Sequence, residues 1–150
     1  MRRQTKYPDT DTFRYYNANP KGRLTGDCVY RAIATATGKD YKEVVMEMAK
    51  MHCDTGYEAT STKGIEVYLK SLGWTKHKQP KHYDGTKYTG EEFCREVAED
   101  IYNGGDSRKA AIIANIGGHH IVAIMDGAVN DTWNSTHKCI GNYWVKEEEK

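Results

Sequence analysis

The sequence predicts an α+β fold, with helices over residues 27–103 packed on an antiparallel β-sheet over residues 109–146. Three observations lead there. Apolar residues recur at helical spacing through the first part of the chain, and from Lys109 short β-rich runs replace that periodicity. Asp126-Gly127 falls between two of those runs, a strong hairpin signal. At 150 residues the chain reads as a single domain, 1–150, long enough to bury a core. Leu24, Leu69 and Leu72 are the only leucines, so Ile, Val, Met and the 11 tyrosines must fill that core.

Residues 1–25 are polar and aromatic and read as an irregular lead-in. The first helix spans about 27–37 and stops at Gly38, a glycine of the kind that follows helix ends. Asp40 caps a second helix, with Glu43 three residues on completing a capping-box-like pair. Its positions Tyr41, Val44, Val45 and Met48 mark one buried face. A third helix starts at Ser61 or Thr62, carries Ile65, Tyr68, Leu69 and Leu72, and ends at Gly73. Residues 74–88, with Pro80 and Gly85, read as a strand and then an exposed loop. Thr89 and Glu92 cap a short helix through Phe93, Val97 and Ile101, which Asn103-Gly104-Gly105-Asp106 breaks. The remaining strands are 110–116, 120–125, 129–133 and 142–145.

The formal charge of +1 gives no global electrostatic case for a nucleic acid or an anionic membrane. Basic residues cluster only locally, in residues 1–6 and 74–87. No apolar run approaches the roughly 18 residues that span a bilayer, and the first residues lack the apolar segment of a secretory signal. The expected location is the cytoplasm, where thiols stay reduced. Cys28, Cys53, Cys94 and Cys139 show no C-x-x-C spacing. No metal or organic cofactor is expected.

One thiol stands where thiols become reactive. Gly26-Asp27-Cys28 immediately precedes the helical run Val29-Tyr30-Arg31-Ala32-Ile33, so Cys28 lies in the first turn. Unpaired N–H groups and the helix dipole favour a thiolate there. Some ninety residues on, Gly117-Gly118-His119-His120 opens a strand with imidazole, and Asp131 follows on the next strand. Either histidine could be the base, because adjacent strand residues face opposite sides and alternation alone does not choose between them. Asp131 can reach the start of the His120 strand across the Asp126-Gly127 turn.

Residues 17–45 and 110–145 resemble, in motif and order, small papain-fold proteins encoded by bacteriophages and mobile elements. More distantly they are similar to the bacteriocin-processing peptidase domains of exporters. The matching residues are Gly26-Asp27-Cys28 with Arg31-Ala32-Ile33, His120-Ile121-Val122-Ala123-Ile124, and Asp131-Thr132-Trp133. The resemblance implies a cysteine hydrolase cleaving a peptide, isopeptide or related acyl bond in a host or phage protein. Cys28 is the implied nucleophile and His120 the base, with His119 at the rim. Asp131 would accept the Nδ1–H of the imidazole, with Asn134 as the fallback orienter. Peptidases of this kind place a Gln six residues before the nucleophile, but Gly22 stands here. Asn19, or else Asn17, would then donate to the oxyanion, beside the Cys28 N–H. Asp27 and Trp133 complete the expected cleft.

Two other readings use the same features. A non-catalytic module could hold a host protein in a cleft bearing Trp74, Trp133 and Trp144. A nucleic-acid accessory protein could instead use Lys76, Lys78, Lys81 and Lys87.

Overall fold

The computed structural model describes residues 3–97 and 111–146. In chain order it contains α1 (Arg3–Lys6), β1 (Phe13–Tyr15), α2 (Cys28–Thr37), α3 (Tyr41–Thr55), α4 (Thr62–Ser71) and β2 (Trp74–His77). A helical turn, α5 (Gly90–Glu92), runs into one π-turn (Phe93–Val97). The strands β3 (Ala111–Ile116), β4 (His120–Met125), β5 (Ala128–Asp131) and β6 (Ile140–Lys146) follow. The architecture is mixed α+β, with a six-stranded sheet in the order β1-β5-β4-β3-β6-β2.

Local chemistry explains most of the boundaries. α2 ends at Gly38, whose N–H bonds the carbonyl of Ala34. α4 is capped by Ser61, whose hydroxyl accepts from the Gly64 N–H at 3.0 Å. The capping box of Thr89 and Glu92 is formed. The one expected around Asp40 is not: Asp40 precedes α3 without a side-chain cap bond, and Glu43 pairs with Lys39 at 3.1 Å. A half-buried lysine one turn away, Lys39, takes that carboxylate in place of the backbone. Ile101 and the 103–106 break lie outside the described residues.

The sheet corrects two sequence expectations. It is not wholly antiparallel, and its strands do not all come from the C-terminal part. β1 arises within the supposed irregular lead-in and pairs parallel with β5, setting Tyr15 opposite Asp131. β2 (Trp74–His77) falls where a strand after the third helix was expected, but it joins the C-terminal sheet, pairing antiparallel with β6. A three-residue strand offers too little alternation to stand out in sequence, yet Phe13 is fully buried and anchors it.

Both faces of the sheet are covered, so its central strands read as continuous apolar runs rather than as alternation. Ile113, Ile121, Ala123 and Trp144 pack with Ile33, Val44, Met48, Ile65 and Leu69 of the helices. Ile112, Ala114, Val122, Ile124 and Val129 face the other way, with Phe13 and Phe93.

Two turns fix strand register near the site. Asp126 (φ 52°) and Gly127 (φ 74°) form the tight link between β4 and β5, both in the left-handed region that this turn type requires. Gly117 (φ 66°) and Gly118 (φ 90°) turn β3 back into β4, pairing Ile116 with His120. His120 is thereby the first residue of its strand, at the mouth of the turn. No helix among the described residues is long and apolar enough to cross a membrane.

Candidate active site

Cys28 opens α2, and α2 packs across β4 at the end where His120 begins. Asp27 occupies the cap position, but its carboxylate takes up none of the helix's own N–H groups. It accepts instead from Arg31 Nε at 2.8 Å, Tyr41 Oη at 2.7 Å and Asn19 Nδ2 at 3.0 Å. The first turn of α2 thus keeps its positive end directed at the thiol.

The structure brings three of the sequence-predicted residues together. His120 Nε2 lies 2.5 Å from Asp131 Oδ2. Cys28 stands beside His120 and the backbone N–H of Ile121, and both interact with its thiol. The expected ring atom is corrected here: Asp131 holds Nε2 rather than Nδ1, which leaves Nδ1 as the ring nitrogen for the thiol. Trp133 packs on the same imidazole, with ring centres 5.0 Å apart, and shields it from water.

Asp131 is buried and held from three sides. Besides His120, its Oδ1 accepts from Arg31 Nη1 at 2.6 Å and from the Thr132 N–H at 2.7 Å. Its backbone carbonyl receives the Tyr16 N–H at 2.9 Å, just beyond the β1 pairing. Neither Arg31 nor Tyr41 is marked as a site residue by the sequence. The Asp27/Arg31 spacing of four on a helix start was the available signal.

Charges follow from these contacts. Burial pushes the Cys28 thiol up, but the bond from His120, the Ile121 N–H and the nearby His120 and Arg31 charges bring it below its ordinary value. Burial opposes the His120 imidazolium, yet Asp131 and Cys28 outweigh it and raise its pKa to about 9. Asp131 and Asp27 stay below the usual carboxylate range: burial works against both anions, while His120 and Arg31 hold Asp131, and Tyr41, Asn19 and Arg31 hold Asp27. The favoured form is an imidazolium–thiolate pair beside two carboxylates bridged by one arginine.

The other candidates lie elsewhere. His119 is exposed in the β3–β4 turn. Asn134 cannot be the orienter, because its carbonyl accepts from Thr136 N and Oγ1 and Asp131 already fills that place. Asn17 bonds the Asn19 N–H and the Arg23 carbonyl. Asn19 lies beside Cys28 only through Asp27, and its amide is directed at that carboxylate rather than at the thiol. Cys53 and Cys139 are exposed, and Cys94 is buried. Lys76 pairs with Glu66 at 3.5 Å, and Lys81 and Lys87 face each other across an isolated bridge. Among the described residues no group of three or more His, Cys, Asp or Glu is placed to hold a metal ion.

No family model, curated protein or solved structure matches the chain. The geometry carries the functional argument.

Coupling between thiol and imidazole has a measurable signature in stability. Between roughly pH 6.5 and 9 an unfolded chain holds one proton over the two groups, on the thiol. In the folded pair the thiol is lowered and the imidazole raised, so the shared proton favours the imidazole and stability changes less across that window than it would with the raised imidazole alone. Cys28→Ser removes the thiol but not Asp131, so His120 stays raised. Its contribution is then complete below about pH 6.5 and is lost as pH climbs through the folded value. The urea midpoint of Cys28→Ser, relative to the parent protein, should therefore fall between pH 6.5 and 9. A constant difference across that range would show the two groups to be uncoupled.

Proposed function

We propose that this protein is a cysteine hydrolase of papain-like plan, acting on a peptide, isopeptide or related acyl bond. The observation that carries the reading is the Asp131–His120 bond of 2.5 Å, with a thiol at a helix start interacting with the same imidazole. Three chemically distinct groups in this linear order make an activated nucleophile, a base and its orienter.

The chemistry follows from the pair. The Cys28 thiolate attacks the substrate carbonyl carbon, a C–S bond forms, and the C=O electron pair moves onto oxygen. The Cys28 N–H and the open end of α2 face that developing charge. As the tetrahedral centre collapses, His120 gives its Nδ1 proton to the leaving nitrogen and a thioacyl intermediate remains. Water attacks that thioester while His120 takes its proton, and the acid and the Cys28 thiolate are released, leaving His120 protonated. Asp131 holds Nε2–H throughout and keeps the ring in the required tautomer.

A second reading, a binding module that keeps the cleft, is favoured by one observation: the Asn19 amide is engaged by Asp27 instead of standing opposite the thiolate. Thiol reactivity separates the two. Near pH 6 an ordinary thiol is only about 0.3 % ionised. Iodoacetamide should nevertheless modify Cys28 ahead of Cys53 and Cys139, which accessibility alone would favour. Cys94 should react last, since burial pushes its thiol up to about 12. Peptide mapping that finds Cys53 or Cys139 modified first would remove the nucleophile from the proposal.

A further inference from the structure

The catalytic proposal uses Cys28, His120 and Asp131 but leaves unexplained the buried arginine that joins their neighbourhoods. Arg31 lies one turn inside the helix that Cys28 opens. It reaches two carboxylates at once, Asp27 at 2.8 Å through Nε and Asp131 at 2.6 Å through Nη1. Each carboxylate adjoins a reacting group: Asp27 immediately precedes the nucleophile, and Asp131 orients the base. Nε and Nη1 donate from different sides of one planar, rigid guanidinium, so the relative placement of the two carboxylates is set by that single plane.

We propose that Arg31 is a positioning residue of this reaction, fixing the plane of the Asp131 carboxylate and tying it to the residue that carries Cys28, so that thiol and imidazole keep a set spacing. The proposal rests on the triad reading. The charged and titratable groups around it can be named from each packed element. Asp27 and Cys28 come from the start of α2, Tyr41 from α3, His120 from β4 and Asp131 from β5. Among the described residues Arg31 is the arginine bonded to both carboxylates of that cluster, and its charge does not depend on pH in the working range; Arg3 reaches only the Thr132 carbonyl. It balances the second carboxylate and leaves the His120 charge to the thiolate. A methionine there would leave His120 as the sole cation among two carboxylates and a thiolate. A lysine would keep the charge but, as a point donor, cannot hold both carboxylates in one plane.

The test uses the full chain with iodoacetamide as probe, following Cys28 alkylation against pH beside the low-field proton resonance of the His120 Nε2–H. Arg31→Met should raise the alkylation midpoint by roughly half a unit or more, slowing the reaction about threefold at acidic pH. Arg31→Lys should leave the midpoint near that of the parent protein but broaden or abolish the low-field resonance, because the carboxylate is no longer held in plane. Far-UV circular dichroism and a cooperative melt establish that each variant is folded, and Arg31→Lys carries the test if Arg31→Met does not fold. A folded Arg31→Lys with both signals of the parent protein would overturn the proposal and make Arg31 a structural ion pair. An unchanged profile in His120→Ala would instead overturn the triad, which keeps the two failures apart.

Discussion

Replacing His120 with Ala is expected to raise the pH at which Cys28 becomes reactive by more than about one unit. The helix start alone typically contributes up to about 1 kcal/mol to a thiolate, under one pKa unit. Burial works against the anion, and the remaining lowering comes first from the His120 bond, then from the Ile121 N–H and the charges of His120 and Arg31. Removing the imidazole leaves burial opposed by much weaker forces. Alkylation by iodoacetamide near pH 6 should then slow by more than tenfold. His119→Ala should leave the profile in place, since that side chain is exposed in the turn. Fold should persist in His120→Ala, because Asp131 keeps Arg31 and the Thr132 N–H. Superimposable profiles for His120→Ala and the parent protein would sink the dyad, and the enzyme reading with it.

Asp131 should show the largest effect on stability. Its side chain is 2 % exposed, and it neutralises two cations from two different elements. Asp131→Ala strands the Arg31 guanidinium with only Asp27 and leaves His120 without an acceptor on Nε2. Breaking a buried pair from one side costs about 3–5 kcal/mol. That is a large share of the ~5–15 kcal/mol available to a domain of ordinary stability. Asp131→Asn keeps shape and one acceptor, so it should cost less in a urea titration. Its chemical effect should be severe all the same. The amide NH₂ would face Nε2 and force the ring proton onto Nδ1, where it can no longer take a proton from Cys28. The same exchange in a serine triad lowers turnover on the order of 10⁴-fold. A folded Asp131→Asn alkylated at pH 6 as fast as the parent protein would show that Asp131 does not orient the base. An Asp131→Ala loss below about 1 kcal/mol would show that the buried cluster is not what holds α2 to the sheet.

Where the sequence was legible, a short-range rule was at work. Gly38 as a helix stop, the Thr89/Glu92 box, the Asp126-Gly127 turn and Cys28 in a first turn each depend on a few adjacent residues. Turn length sets Asp131 near the start of the His120 strand, while the choice of His120 over His119 rests on the family resemblance and not on spacing. What escaped depended on partners far away in the chain. β1 is a strand only because β5 lies beside it, and Arg31 looks like an ordinary helix residue until Asp131 arrives against it. Tyr41 was read as a core position from its spacing, and it does pack there, yet its hydroxyl bonds Asp27. Periodicity reports which face is buried; it carries no information on where a polar tip ends. The choice between Nδ1 and Nε2 was beyond spacing for the same reason.

The parallel pairing of β1 with β5 has a consequence for how the chain reaches this state. Arg31 and Asp131 are 100 residues apart in sequence, and Arg3 reaches the Thr132 carbonyl from 129 residues away. Contacts of such separation are entropically costly to close and place the fold among slow, non-local topologies. The helical hairpins and the β3–β4–β5 meander can form from neighbours alone. The edge strand and the arginine bridge cannot, because both ends of the polypeptide must already have met. Cys28 and His120 also come from distant parts of the chain, so their pairing forms only once α2 has docked on β4.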